Sequence, residues 1–439
     1  MKIYVHNTLT KQVEEFMPES DNIKMYVCGP TVYDRPHIGN ARSALVYDLF
    51  YRFFREMYGR ENVTYVRNIT DVDDKIIAKA KENGVKVHDL TREITDLFHD
   101  DLNYLGCLLP NFEPKATENI DKMIEIIAHL IQNKHAYVAN NHVYFSVETD
   151  ENYGKLAGRN LDELKAGARI EVEENKHHPA DFVLWKPMDS EDTLDSVFDS
   201  PWGKGRPGWH IECSAMSSRY LGNNFDFHGG GADLMFPHHT NEIAQSTCAF
   251  KGSHYAKYWV HNGFVTVDGE KMSKSLGNFT TVYDMREKGI DGSALRLALL
   301  STHYRKPLDF NEKLLDDSEK ALKAFRKNLS HNDHFRDDEI LEYLADDLNI
   351  SMVIARLHEL SRDNTDESVA KLNWALDLLG LNYTTKIHTI SDLEIESLIH
   401  DRQDAKLQKN YAEADKIRQY LLDQGITIED TKDGTKYYR

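Results

Sequence analysis

The stretch MYVCGPTVYDRPHIGNARSALVYDLFYRFF, residues 25–54, decides the fold. It opens on an apolar run, Met25-Tyr26-Val27-Cys28, stopped by Gly29-Pro30, and closes on an amphipathic run from Ala41 to Phe54. A short apolar run followed by helical periodicity predicts a strand turning into a helix, with Pro36-His37-Ile38-Gly39-Asn40 at the turn. A helix start of this kind offers unpaired backbone N–H groups and the positive end of the dipole, which suits phosphate. Gly39 would let a nucleotide approach the backbone closely, and His37 would donate to phosphate oxygens.

A second short motif, Lys271-Met272-Ser273-Lys274-Ser275, stands far along the chain between Asp268-Gly269 and Gly277. Two lysines and two hydroxyls on a glycine-flanked loop suit the neutralisation of charge that develops during displacement at phosphorus. Each motif alone is common. The pair, in this order, resembles the two signatures of the class I aminoacyl-tRNA synthetases. The resemblance implies a Rossmann-like domain that makes an aminoacyl-adenylate from ATP with Mg2+ and then esterifies tRNA. One position departs from it, because the fourth residue of the first signature is usually His and here is Asn40. Asn still donates to a phosphate oxygen but cannot become cationic.

Composition fits a large multidomain enzyme: 439 residues, 41% hydrophobic and 28% charged. The N-terminus carries no signal-peptide core and no apolar run reaches a membrane span, so a cytoplasmic protein without membrane contact is expected. A net charge of −19 opposes long-range attraction to nucleic acid, and any such contact needs the 53 basic residues gathered on one face. The four cysteines, Cys28, Cys107, Cys213 and Cys248, lack close pairing and are expected to be reduced. Cys107 and Cys248 suit small buried hydrophobes.

Cys28 ends the first strand beside the nucleotide turn, and Cys213 lies in Arg206-Pro207-Gly208-Trp209-His210-Ile211-Glu212-Cys213. Shortly after comes Phe236-Pro237-His238-His239-Thr240-Asn241-Glu242, where Pro237 suits the first turn of a helix. Residues three and four apart share a helical face, so either His238 or His239 can stand with Glu242. Two thiolates, an imidazole and a carboxylate form a sensible zinc set.

Longer strings sharpen the resemblance. Residues 25–34, 65–75, 208–216 and 227–245 look like the cysteinyl branch of the class I enzymes, with similarity over nearly the whole chain. Its zinc ligands fall on Cys28, Cys213, His238 and Glu242, and the choice of His238 comes from the resemblance. Gly29, Thr70, Trp209 and Asp233 take its substrate-binding positions, Asp233 suiting the ammonium. His37, Asn40, Lys271 and Lys274 take its catalytic positions, and His37, Gly39, Asn40, Lys271, Ser273, Lys274 and Ser275 its ATP contacts. The branch implies L-cysteine, ATP and tRNA(Cys) as partners, one Zn2+ that takes the substrate thiol, and a monomer. Thiol ligation separates cysteine from serine directly, whereas a size-based pocket separates near-isosteres by only about 1–3 kcal/mol, so no editing domain is required. The serines of the loop then bind rather than act as nucleophiles. The aspartates of Asp71-Val72-Asp73-Asp74 suit a helix start, not a metal.

The expected fold is α/β: a Rossmann-like doubly wound parallel sheet with an insertion domain, then a helical bundle and a small C-terminal α+β domain. The catalytic halves are 1–120 and 201–265, with an insertion at 121–200 for the acceptor end. Residues 266–315 form the stem-contact region with the lysine loop, 316–385 the bundle and 391–439 the anticodon-binding domain. Helical spacing at Met123, Ile126, Ile127 and Leu130 precedes a strand from His142 to Val147. In the bundle, Leu344, Leu348, Met352, Ala355 and Leu357 are read among the apolar stripes that form its core. Asp433-Gly434 predicts a terminal hairpin whose Tyr437, Tyr438 and Arg439 suit base stacking. Alternatives are a cysteine ligase with an amino-sugar acceptor, as in the mycothiol pathway, and a non-catalytic binding protein on the same fold. The terminal domain stands against the first and the two lysines against the second.

Overall fold

The computed structural model describes residues 1–159, 175–273, 277–327, 329, 333–382, 392–407, 410, 414, 416–418, 420, 421, 426–431 and 434–438. Its centre is a four-stranded parallel sheet in the spatial order Tyr255–Asn262, Asn224–Gly231, Ile23–Val27, Val63–Arg67. Alternation along the strand sends Met25 and Val27 to one face and Tyr26 to the other. The first face packs on the Ile38–Tyr58 helix, whose Leu45, Leu49, Phe50, Phe53 and Phe54 are buried. The second packs on helices Ile120–Gln132 and Trp209–Leu221 through Ile126, Leu130, Ile211 and Ala215. A sheet covered on both faces needs apolar residues in both registers, which explains the continuous run at 25–28.

The chain leaves the strand Ile23–Val27 toward Val63–Arg67 on one side and later returns to Asn224–Gly231 on the other. That reversal of direction puts a crevice beyond the carboxyl ends of the two central strands, the usual ligand position in such sheets. Cys28 follows one strand directly, and Gly229 to Gly231 end the other.

Four antiparallel strands, Ala136–Ala139, His142–Phe145, Phe182–Pro187 and Gly205–Pro207, make a second sheet. The last of them belongs to this sheet although it lies beyond the 121–200 boundary read from sequence, and it leads straight into the Trp209–Leu221 helix. The strand expected from His142 to Val147 ends at Phe145.

Val265–Val267 pairs with both Leu308–Phe310 and Glu270–Lys271, the latter carrying the start of the lysine motif. Helices Glu312–Arg326, Asp338–Ala345, Ile350–Asp363 and Asp366–Leu378 follow. The stripe read from sequence needs correction here. Met352 is exposed, as is Ala355, and the buried face is Ile350, Val353, Leu357 and Leu360. A new helix starts at Ile350, so the phase carried over from Leu344 and Leu348 does not continue.

The chain divides into two units, Met1–Asn382 and Tyr383–Arg439. The second has its own small core of Ile395, Ile399, Leu421, Ile426 and Ile428. In it the helix Asp392–Leu407 precedes an antiparallel pair, Thr427–Thr431 with Gly434–Tyr438, where the hairpin was expected. The side chains of Tyr437, Tyr438 and Arg439 lie outside the described residues. Among the described residues, no helix is long and apolar enough to cross a membrane.

Candidate functional site

Cys28, Cys213, His238 and Glu242 converge in the crevice, their ligand atoms all within 4.8 Å of one another. Three local devices supply them. Gly29 follows the strand Ile23–Val27 so closely packed that a Cβ there would lie 1.6 Å from the Asn68 carbonyl oxygen, and Cys28 stands between them at the strand's carboxyl end. Cys213 lies one turn into the Trp209–Leu221 helix. His238 and Glu242 stand one turn apart, with His238 Nε2 3.1 Å from Glu242 Oε1. Pro237 lies in a wide turn, Met235–His239, that leads into the helix Thr240–Ala249.

The donor chemistry fits a zinc ion. Cys28 Sγ and Cys213 Sγ are 3.7 Å apart. A tetrahedron with metal–sulfur bonds of about 2.3 Å has an edge of about 3.8 Å. Burial resists ionisation of Glu242, yet His228 and His238 outweigh it and hold its carboxyl well below the usual carboxylate range. Burial, Cys213 and Glu242 push the Cys28 thiol well above its ordinary value. A bound cation would reverse that order and let both thiols ionise beside the carboxylate. His239 also faces the cluster, and Cys28, His228, His239 and Glu242 form a second possible set. The geometry thus leaves both histidines in reach of Glu242.

Behind these groups stands a ring of partners that sequence reasoning missed. Glu242 Oε2 accepts from Tyr255 Oη at 2.8 Å and lies 2.8 Å from His228 Nε2, which turns Oε1 toward the thiols. His210 Nδ1 lies 2.9 Å from His238 Nδ1, and burial with the neighbouring His238 brings His210 down to about 3. Such partners fix ring orientation at a ligand. His228 falls inside the string that carries the resemblance, but its pairing with Glu242 has no local signal.

The residues expected at the substrate differ in their surroundings. Trp209 is 38% exposed and stacks on His238, ring centroids 4.1 Å apart. Asp233 is exposed in the turn after the strand Asn224–Gly231. Thr70 is buried, and its hydroxyl donates to Glu212 Oε2 at 2.8 Å. Of the acidic run, Asp73 caps the helix Asp74–Asn83 and Asp71 accepts from Thr117, an arrangement of helix start and loop anchor.

The turn at 36–40, where phosphate contacts were expected, departs from one expectation. The N–H groups at the start of the Ile38–Tyr58 helix are taken, not open. Ile38 donates to the Thr280 carbonyl, and Gly39 and Asn40 both donate to His37 Nδ1, at 3.0 and 3.3 Å. Asn40 Oδ1 in return accepts from the His37 N–H at 3.2 Å, closing a capping box. His37 caps here because its ring folds over Gly39, where a Cβ would lie 2.8 Å from Cε1 and 3.1 Å from the Met272 methyl. An Nδ1 that accepts leaves the proton on Nε2, so His37 keeps one outward donor. The lysine motif lies against this turn: Phe279 meets the His37 ring edge-on and Thr281 bridges to His37. Lys271 is exposed, and Asn278 ties the loop by accepting from the Ser273 N–H and donating to the Lys271 carbonyl. Lys274 and Ser275 lie outside the described residues.

Comparison with known proteins agrees with this layout. Residues 15–320 match the model of the tRNA synthetase class I (C) catalytic domain. Curated proteins named cysteine--tRNA ligase match over the whole chain. That of Rickettsia canadensis is 52% identical, covering 99% of this chain and 98% of the relative. That of Rickettsia felis is 50% identical, covering 100% and 99%. Among solved structures, Mycobacterium tuberculosis methionyl-tRNA synthetase in complex with methionyl-adenylate aligns with a TM-score of 0.55 at 13% identity, over 82% of this chain and 88% of that one. At that identity the likeness is one of fold, the Rossmann-like class I fold. With a catalytic-domain match over most of its length and relatives near half identical from end to end, the chain belongs to the cysteine--tRNA ligase family of class I tRNA synthetases.

Proposed function

We propose that this protein activates L-cysteine with ATP and Mg2+ to cysteinyl-adenylate and transfers cysteine to the terminal adenosine of tRNA(Cys). The observation that carries the proposal is the meeting of two thiols, an imidazole and a carboxylate beside the nucleotide turn, in one crevice of a class I fold. Cys28, Cys213, His238 and Glu242 are the zinc ligands in this reading, since that set holds both thiols. Zinc, when bound, supplies a Lewis acid that takes the substrate thiol as thiolate in preference to a serine hydroxyl.

The chain's own residues do the rest. Trp209 walls the pocket over His238, and Asp233 faces the substrate ammonium from the exposed turn. Gly29 and Thr70 shape the pocket floor. His37 donates from Nε2 toward the phosphates, with Asn40 supporting it through the capping box. Lys271 and Lys274 neutralise charge as pyrophosphate departs, and Ser273 and Ser275 contact phosphate. No side chain needs to act as a nucleophile, because the carboxylate attacks phosphorus and the tRNA hydroxyl attacks the mixed anhydride.

The test is charging of total tRNA with labelled cysteine, alongside labelled serine and cysteine-dependent ATP–pyrophosphate exchange. Cysteine charging without serine charging is expected. Exchange without charging would replace tRNA by another acceptor, and absence of both would end the proposal.

A further inference from the structure

Asn68 stands at the end of the strand Val63–Arg67, is 1% exposed, and has no part in the function argued so far. Its carboxamide touches three residues of the site at once. Oδ1 accepts from the Gly29 N–H at 2.8 Å and lies 3.8 Å from Cys213 Sγ. Nδ2 donates to Thr70 Oγ1 at 3.3 Å, and that hydroxyl in turn donates to the buried Glu212 Oε2 at 2.8 Å. Glu212 precedes Cys213 on the same helix, so the chain of bonds begins and ends on one element. The backbone doubles the connection: Thr70 N–H donates to the Pro30 carbonyl and Val32 N–H to the Thr70 carbonyl.

A buried amide with both ends engaged has one orientation, because a flip would face two donors together and two acceptors together. That orientation sets the Gly29 peptide and the Thr70 hydroxyl relative to Cys213. We propose that Asn68 is a positioning residue for amino-acid selection, holding the floor of the cysteine pocket in register with the metal-ligating thiol. The inference rests on the function proposed above. Glu212 completes it as the acceptor that turns the Thr70 hydroxyl away from Asn68, leaving a hydroxyl lone pair for the Asn68 N–H.

The register explains two features of the sequence. Gly29 is required because the Asn68 carbonyl occupies the place of a Cβ, and the same close approach brings the Gly29 N–H to the Asn68 side chain. A polar pair, Asn68 and Thr70, sits buried just beyond the strand Val63–Arg67, each the other's partner.

The test compares full-length wild type with Asn68→Ala and Asn68→Asp. Cysteine affinity is measured by calorimetry without ATP, KM values for cysteine and ATP by pyrophosphate exchange, zinc content by elemental analysis, and Tm by calorimetry. Asn68→Ala is expected to weaken cysteine binding and raise its KM about tenfold, about 1.4 kcal/mol, while the KM for ATP and kcat stay within about twofold and zinc stays bound. Asn68→Asp keeps the shape and the acceptor for Gly29 but loses the donor to Thr70, and should weaken cysteine about threefold. It also decides the matter if Asn68→Ala does not fold. Unchanged cysteine affinity in a folded variant, or equal losses for cysteine and ATP, would overturn the role. A wild type without zinc or without cysteine-dependent exchange would instead overturn the parent reading.

Discussion

His37 and Gly39 show how one residue's size sets another's protonation. With no Cβ at position 39, the imidazole lies over the helix start and accepts two N–H groups through Nδ1. Gly39→Ala should displace the ring, remove a cap worth about 1 kcal/mol and raise the KM for ATP, read by exchange kinetics and Tm. Burial also lowers the His37 pKa below that of an ordinary histidine. The sign follows from the cap: protonation at Nδ1 breaks it, so its stabilisation is present above the unfolded-state pKa and is lost as pH falls through the lowered folded value. The acid limb of kcat/KM for ATP should therefore lie below about pH 6.5, and a limb at or above that would contradict the assigned tautomer. Much of this site was legible in short strings, since Cys28, His37 and Gly39 sit where a strand stops and a helix starts. The capping box was not, because His and Asn are an unusual pair for it. Tyr255, His228 and Asn68 escaped because they meet the site only through strands brought together by the fold.

At the scale of elements, the sheet, the Ile38–Tyr58 helix and the helix Ile120–Gln132 follow from apolar period, and the structure places their buried residues accordingly. The stripe in Ile350–Asp363 did not follow, because a separate helix begins at Ile350 and restarts the phase. One junction depends on charge rather than period. Arg296, fully buried on the helix Gly292–Leu300, pairs with Asp48 of the Ile38–Tyr58 helix and donates to the Leu379 carbonyl at 2.7 Å and the Leu105 carbonyl at 3.2 Å. It thereby ties the Ile38–Tyr58 helix to the end of the bundle. Asp48→Ala leaves that buried guanidinium without its carboxylate and should cost about 3–5 kcal/mol, seen as a large fall in the denaturation midpoint.

For the whole molecule, the division at Asn382 separates the crevice from the terminal unit. All the candidate ligands and the turn proposed to hold nucleotide belong to the first unit. A chain ending at Asn382 should therefore keep cysteine-dependent pyrophosphate exchange within a few-fold and lose most charging of tRNA(Cys), measured side by side. Equal loss of both would mean that the first unit needs the second to fold. The charge of −19 fits this division of labour only if tRNA contacts are local, and charging should then fall steeply as salt rises. The central claim is that the crevice selects cysteine by its sulfur, and zinc-edge X-ray absorption of the full-length protein tests it most directly. The account predicts two sulfur neighbours at about 2.3 Å, a third on addition of cysteine, and none on addition of serine. A sulfur count that cysteine leaves unchanged would contradict it.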